Sequence, residues 1–397
     1  MGLIFRKQKD TPALTNIGKL SIVGFIVSLA SAIISTIWAV YMDSFLQNIV
    51  LVGFVSAGLT LVSFASYFIF IPLIQKIDKT KIYAITLFLY AITYVLFALN
   101  TKFYFFIILA FIITIIGTLR VTSFGIIVKD KSPKKHLSKN EGLIYTFSNI
   151  AWVIGPLIAG YISERFNLNL IFALSAIFVF IAFMLFKFSK IKDGNIQKKV
   201  NKNIIKNFIE FFKDKKRLYA YLLGGGVNLW WSLIYLFIPI YIIRNGLGTI
   251  WVGYFLFAIA VPLMILEFHF SKLAGKIGFK KIFKIGFLIA SICAIACFFI
   301  NNIYVILGLL VLASVGLAML EPTTEAYFFD ITKKGEECRF YGPYNTTVEV
   351  NDFIGKILSA TLLVFLPFKY IFILFGVLML FFVFLSSKIK DVIEDKK

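Results

Sequence analysis

Histidine and cysteine are almost missing from this 397-residue chain: His136 and His269 are its two histidines, and Cys293, Cys297 and Cys338 its three cysteines. No Cys/His cluster with metal spacing and no hydrolytic triad can be assembled from them, so no metal and no cofactor is expected. Cys293 and Cys297 lie one helical turn apart in an apolar run and read as two small buried residues. Charge is scarce as well, at 15%, and acids are outnumbered 20 to 41 by lysine and arginine. The net charge of +21 does not point to nucleic acid, because the lysines sit between membrane-length apolar runs and not on a soluble face interleaved with aromatics. No G-x-x-x-x-G-K-[ST] loop is present, which removes ATP as an energy source within the chain. No nucleophile and base occur at a recognisable spacing, so the chain is not expected to be an enzyme.

What is abundant is apolar side chain, 60% of the residues with 17% aromatic, more than one soluble core could enclose. Runs of about 20 residues, enough to cross the hydrocarbon of a bilayer, start near Gly18, Ile49, Ile82, Phe103, Leu143 and Asn169. A second set starts near Leu218, Ile250, Ile282, Ile303, Thr346 and Lys369. Short loops (DSFLQN, NTK, ERFNLN, RNGLGT, NN, PFK) alternate with longer lysine-rich ones. Thirty-five of the 41 Lys and Arg fall at the N-terminus, in the longer loops or in the tail, four (Lys102, Arg165, Arg244, Lys369) in short loops, and Arg120 and Lys356 inside spans. The positive-inside rule then places both termini in the cytoplasm of a cell-membrane protein. In the longest loop, Val200, Ile204, Ile205, Phe208, Ile209 and Phe212 share one helical face and predict an interfacial helix bridging two halves.

The two sets of spans are copies of one another. At an offset of 200, 30 of 197 residue pairs are identical without a gap, where composition alone gives roughly 15. Gly24 pairs with Gly224, Gly53 with Gly253, and Gly155 with Gly355. The fold expected is an all-α polytopic membrane protein of twelve transmembrane helices in two six-helix pseudo-repeats, residues 1–190 and 218–397, with 191–217 as cytoplasmic linker. An even number of spans per half leaves the halves parallel, an architecture that places a site near the midplane between them.

One stretch, Ser271-Lys-Leu-Ala-Gly-Lys-Ile-Gly-Phe-Lys-Lys281, carries a family resemblance. The major facilitator superfamily has a loop of the form G-x-L-A-D-R-x-G-R-K-K between its second and third helices, echoed between the eighth and ninth. Leu273, Ala274, Lys276, Gly278, Lys280 and Lys281 occupy its positions. The first-half copy keeps Lys76 and Lys81, with Gln75 where the acid belongs and Asp78 where the second glycine belongs. In the resembling loops the lysines could pair with acidic helix ends such as Asp130 and Asp330, forming a latch that breaks when the halves rock. The fifth helix, with Gly155-Pro156 and Gly160, resembles the motif of drug/proton antiporter-like members, and small residues with a proline suit bending and close packing.

Ionisable groups inside spans are expensive and are functional candidates by default. Arg120, Glu321, Glu325, Glu349, Asp352 and Lys356 are expected to face one net-acidic cavity, with Asp352 and Lys356 paired at i, i+4. Glu349, near the span boundary, reads better as a gate salt bridge, and Asp43 as a solvated acid. Asn149 and Trp152 belong to a helix that lines the cavity in family members, as does Trp38. The function expected is secondary active transport by alternating access: proton-coupled efflux of small amphipathic compounds by a monomer in contact with lipid. Uptake of a small metabolite such as a sugar, amino acid or organic anion is the rival transport reading. A membrane receptor or assembly protein is the rival from another class.

Overall fold

The computed structural model describes residues 16–74, 77–132, 137–191, 204–333 and 336–392. Among them are fifteen α-helices and no strand. The first half comprises α1 (Asn16–Leu46), α2 (Ile49–Ile74), α3 (Lys79–Leu99), α4 (Phe103–Lys131), α5 (Leu137–Arg165) and α6 (Leu168–Phe188). A short α7 (Ile204–Lys213) leads to α8 (Lys215–Ser232), which passes through a π turn, Leu233–Phe237, into α9 (Ile238–Arg244) as one span. Then follow α10 (Thr249–Ile277), α11 (Phe279–Phe299), α12 (Ile303–Ile331), α13 (Glu337–Asn345), α14 (Thr347–Phe365) and α15 (Tyr370–Lys388).

Eleven of these spans are long and apolar enough to cross a membrane. The twelfth is α14, whose opening turns carry Glu349, Asp352 and Lys356. Helix starts expected at Ile49, Phe103 and Ile303 are the observed ones. Polar caps mark several of these turns: Asn167 accepts from the Leu170 amide at 2.8 Å and Asn302 from that of Tyr304 at 2.9 Å. The π turn was not legible in the pattern. Pro239 stands just beyond it and has no amide to donate, and the Ile238 amide reaches back five residues to the Leu233 carbonyl.

Within the first half α1 packs on α5 and α6, and α3 on α4 and α6; in the second, α8 packs on α12 and α14, and α11 on α12 and α15. The halves meet along two seams, α2 with α14 and α5 with α10. Away from the termini the approach is close. A Cβ on Gly160 would lie 2.9 Å from the Gly253 Cα, and one on Gly53 2.7 Å from the Ala360 Cβ. Those contacts are the same one twice, since 53 and 253, and 160 and 360, are repeat-equivalent. Arg244 adds a 2.6 Å ion pair to Asp43 across the halves on that side, so Asp43 is paired and not merely solvated.

Helix α7 lies between the halves, with Phe208 5.5 Å from Phe68 of α2. Its buried anchor is Phe211, packed on Tyr221, Phe328 and Phe340, and its Glu210 pairs with Arg339. The predicted stripe omitted Phe211 and named Ile209 and Phe212, which are 52% and 40% exposed. Val200 and the side chains of Ile204 and Ile205 lie outside the described part of the structure.

Candidate functional site

A cavity of about 500 Å³ opens between the halves, walled by α1, α2, α3, α4 and α5 on one side and by α8, the π turn and α14 on the other. Its walls are built from polar stripes that repeat with the helix. Ser31, Ser35 and Trp38 supply α1's stripe, and Ser56, Thr60, Ser63 and Tyr67 that of α2. These spacings of three and four place each set on one face. The hydroxyls cost little in apolar helices because they bond their own backbone, as Thr114 does to the Ala110 carbonyl at 2.7 Å and Thr118 to that of Thr114 at 3.1 Å. A hydroxyl satisfied in this way barely lowers hydropathy, which is why sequence reasoning passed over the stripes; their period was the signal available.

The charged groups sit on α4 and α14. The Lys356 ammonium donates to Asp352 at 2.5 Å and to the Thr60 hydroxyl at 2.9 Å, and Thr60 in turn donates to the same carboxylate at 2.9 Å. The i, i+4 pair read from the sequence thus also ties α14 to α2. One turn earlier Glu349 lines the cavity and accepts from Ser63 at 3.3 Å. It makes no ion pair among the described residues, contrary to the gate salt bridge expected of it. Arg120 lies with its guanidinium 5.0 Å from the centre of the Tyr90 ring, a cation–π contact, and its Nε is a buried donor without an acceptor. Tyr67 is within electrostatic reach of both Glu349 and Arg120.

The cavity therefore holds two acids and two bases and is not net acidic. Glu321 and Glu325, expected within it, are exposed on α12 and do not line it. A helical face fixes direction only relative to its own axis. Here that face sets Glu321 behind the cavity wall, where Trp231 of that wall reaches it, and turns Glu325 to the Tyr341 hydroxyl, which donates to it at 2.8 Å. Asn149 is likewise exposed outside the cavity, whereas Trp152 lines it, edge-on to Tyr235 at 5.9 Å. Tyr235 belongs to the π turn, so the irregular segment delivers a cavity residue.

The family-like motifs are built differently in the two halves. Asp78 caps α3 locally, accepting from the Thr80 amide at 2.9 Å, the Lys81 amide at 3.2 Å and the Thr80 hydroxyl at 2.6 Å. Burial pushes the Asp78 carboxyl up, but these hydrogen bonds and the Lys81 charge outweigh it and hold the group below the usual carboxylate range. At the equivalent turn α10 and α11 are joined through Gly278 alone, at φ +94°, where a side chain would be strained and would strike the Asp391 carboxylate. Asp391 reaches back from the tail to accept from the Lys280 amide at 3.1 Å. The side chains of Lys276, Lys280 and Lys281 form no ion pair among the described residues, and exposed Asp130 forms none either, so the expected lysine–aspartate latch to Asp130 is not made in this conformation. Asp330 lies at the end of α12 and Lys81 is exposed on α3; Lys76 lies outside the described residues. In α5 the helix runs unbroken through Pro156. Gly155 lets α1 approach, a Cβ there lying 2.6 Å from that of Ala32, and Gly160 faces α10.

A Major Facilitator Superfamily model matches residues 20–266 and 256–391. The staphylopine export protein of Staphylococcus aureus strain Mu50 is 23% identical over 268 residues, 65% of this chain and 66% of that one, so the match spans just under two thirds of that relative. Among solved structures, a POT family transporter in complex with a thioalcohol-conjugated peptide superposes with a TM-score of 0.77 at 13% identity, covering 94% of this chain and 95% of that one. The nucleoside transporter NupG does so with a TM-score of 0.75 at 13% identity over 95% and 100%. At such identities these likenesses speak to the fold.

Proposed function

This chain belongs to the major facilitator superfamily, and on that premise we propose that it is a proton-coupled exporter of small solutes working by alternating access. The halves are residues 1–190 and 218–397, joined by 191–217, with both termini on the lysine-rich cytoplasmic side. One observation carries the reading: the Asp352, Lys356 and Thr60 triad in the cavity wall, where an ion pair on α14 also bonds α2 across the seam. While Asp352 is ionised, Lys356 and Thr60 hold α14 against α2. A proton on Asp352 removes the charge that holds Lys356, and the seam can part. Glu321 and Glu325, outside the cavity, are not needed for this step. The small-residue packing of α5 and the likeness to a staphylopine export protein favour the outward direction. Walls that mix hydroxyls with tryptophan and tyrosine rings suit solutes that carry polar groups on an apolar frame.

The test is uptake into proteoliposomes driven by an imposed pH gradient, with a lipophilic cation, a dipeptide and a nucleoside as probes. Gradient-driven accumulation of at least one probe is expected in the wild type. In Asp352→Asn it should fall at least tenfold, while exchange without a gradient persists. Equal accumulation by wild type and variant overturns proton coupling at this site, and movement of no probe by folded protein overturns the transport reading.

A further inference from the structure

Of the four charges lining the cavity, two neutralise each other and two do not. Asp352 and Lys356 are paired at 2.5 Å. Arg120 and Glu349 line the same space, on α4 and α14, and no ion pair joins either of them to any described residue. The contacts they do make leave capacity open. Arg120 lies over the Tyr90 ring, its guanidinium carbon 5.0 Å from the ring centre, a contact that uses none of its hydrogen-bond donors, and its buried Nε has no acceptor. Glu349 accepts one hydroxyl, from Ser63, where a carboxylate has room for about four such bonds. Tyr67 lines the cavity with both, so the two unmatched charges face one compartment.

An unpaired charge in a partly desolvated wall is costly, and the cheapest complement is a ligand that matches both at once. A monovalent cation would satisfy Glu349 and bring its own charge beside Arg120; a monovalent anion would do the reverse. We infer that the cavity binds a zwitterion, a solute carrying an amine and an acid group, with the acid on Arg120 and the amine on Glu349. This rests on the reading of the cavity as the transport site and names the class of solute it takes. About 500 Å³ admits a solute of the size of an amino acid or a short peptide. The Asp352 and Lys356 pair, being internally matched, stays out of recognition.

Three tryptophans line the cavity, Trp38, Trp152 and Trp231, so occupancy can be read by intrinsic fluorescence of the purified full chain without any transport step. The probes are ω-amino acids from 4-aminobutanoate to 8-aminooctanoate, each set against the amine and the carboxylic acid of equal chain length. One or two lengths are expected to bind about tenfold or more tighter than both half-charged analogues. Arg120→Gln should erase the advantage over the amine, and Glu349→Gln the advantage over the acid, with Arg120→Lys and Glu349→Asp retaining most of it. Half-charged analogues that bind as tightly as every zwitterion overturn the inference, and that comparison uses wild type alone should a variant not fold. Unchanged zwitterion affinity in both glutamine variants also overturns it. The two readings fail separately. Zwitterion binding without gradient-driven uptake of the same compound sinks the transport reading and keeps the site, whereas uptake of another probe without zwitterion preference sinks only this inference.

Discussion

The two seams between the halves are repeat-equivalent in backbone and opposite in chemistry. Along α2 and α14 run Thr60, Ser63, Glu349, Asp352 and Lys356, joined by hydrogen bonds across the interface. Along α10 and α5 the equivalent positions are Ala260, Leu263, Asn149, Trp152 and Pro156; glycine meets glycine there, and among the described residues hydrogen bonds cross only at the end of the seam, from Ser163 to Thr249 at 2.8 Å and from Thr249 to Glu164 at 3.1 Å. Duplication supplied the approach of the helices in both places, and three of the four charges that face the cavity, Glu349, Asp352 and Lys356, lie on one seam, the fourth being Arg120 of α4. The second seam keeps the geometry without charges in the cavity, its polar bonds lying at the far end around Glu164. A similar split appears where α3 and α11 begin: Asp78 caps the first from within its own turn, and Asp391 caps the second from 111 residues away.

The largest effect is expected from breaking the glycine seam. Gly253→Val would drive a side chain into the Pro156 carbonyl and the Gly160 backbone. A loss of about 3 kcal/mol is expected, read as a lower thermal midpoint in detergent, and the Ala360→Gly change on the other seam should lower that midpoint less, by the roughly 1 kcal/mol that glycine costs inside a helix. The charged seam should respond as a pair: Lys356→Met strands Asp352 in the wall and costs about 2 kcal/mol, and adding Asp352→Asn recovers most of it. Near-additive losses in that double-mutant cycle would mean that the two groups are not coupled as an ion pair. Asp78→Ala removes a cap worth about 1 kcal/mol, and Asp391→Ala should cost a similar or smaller amount. The pH dependence separates the two halves further. Because the Asp78 carboxyl is held below its unfolded value, its contribution is complete above about pH 4 and is lost as pH falls through the folded value. The Asp78→Ala protein should therefore show a flatter stability profile in that acid window than the wild type.

Much of the fold was legible because spans announce themselves locally: some twenty apolar residues, a polar cap, a short loop. The repeat was legible because it carries no gap. The Asp352 and Lys356 pair was legible because both partners lie on one helix. What escaped depends on neighbours remote in sequence. Glu321 and Glu325 share a face, but nothing in α12 says which helix that face meets. The serine and threonine stripes were hidden by low cost, and Asp391 by its distance from the turn it caps. Phe211 was passed over because a periodic stripe weights the majority of apolar positions, while docking of α7 turned on one ring and the Glu210 and Arg339 pair beside it.

Gly160 and Gly253 meet backbone to backbone. Interlocked side chains act as teeth, and halves held by teeth must separate before they turn. A contact with no teeth is a bearing: at that point one helix can roll on the other without first lifting off, so close backbone approach between the halves need not resist their rotation.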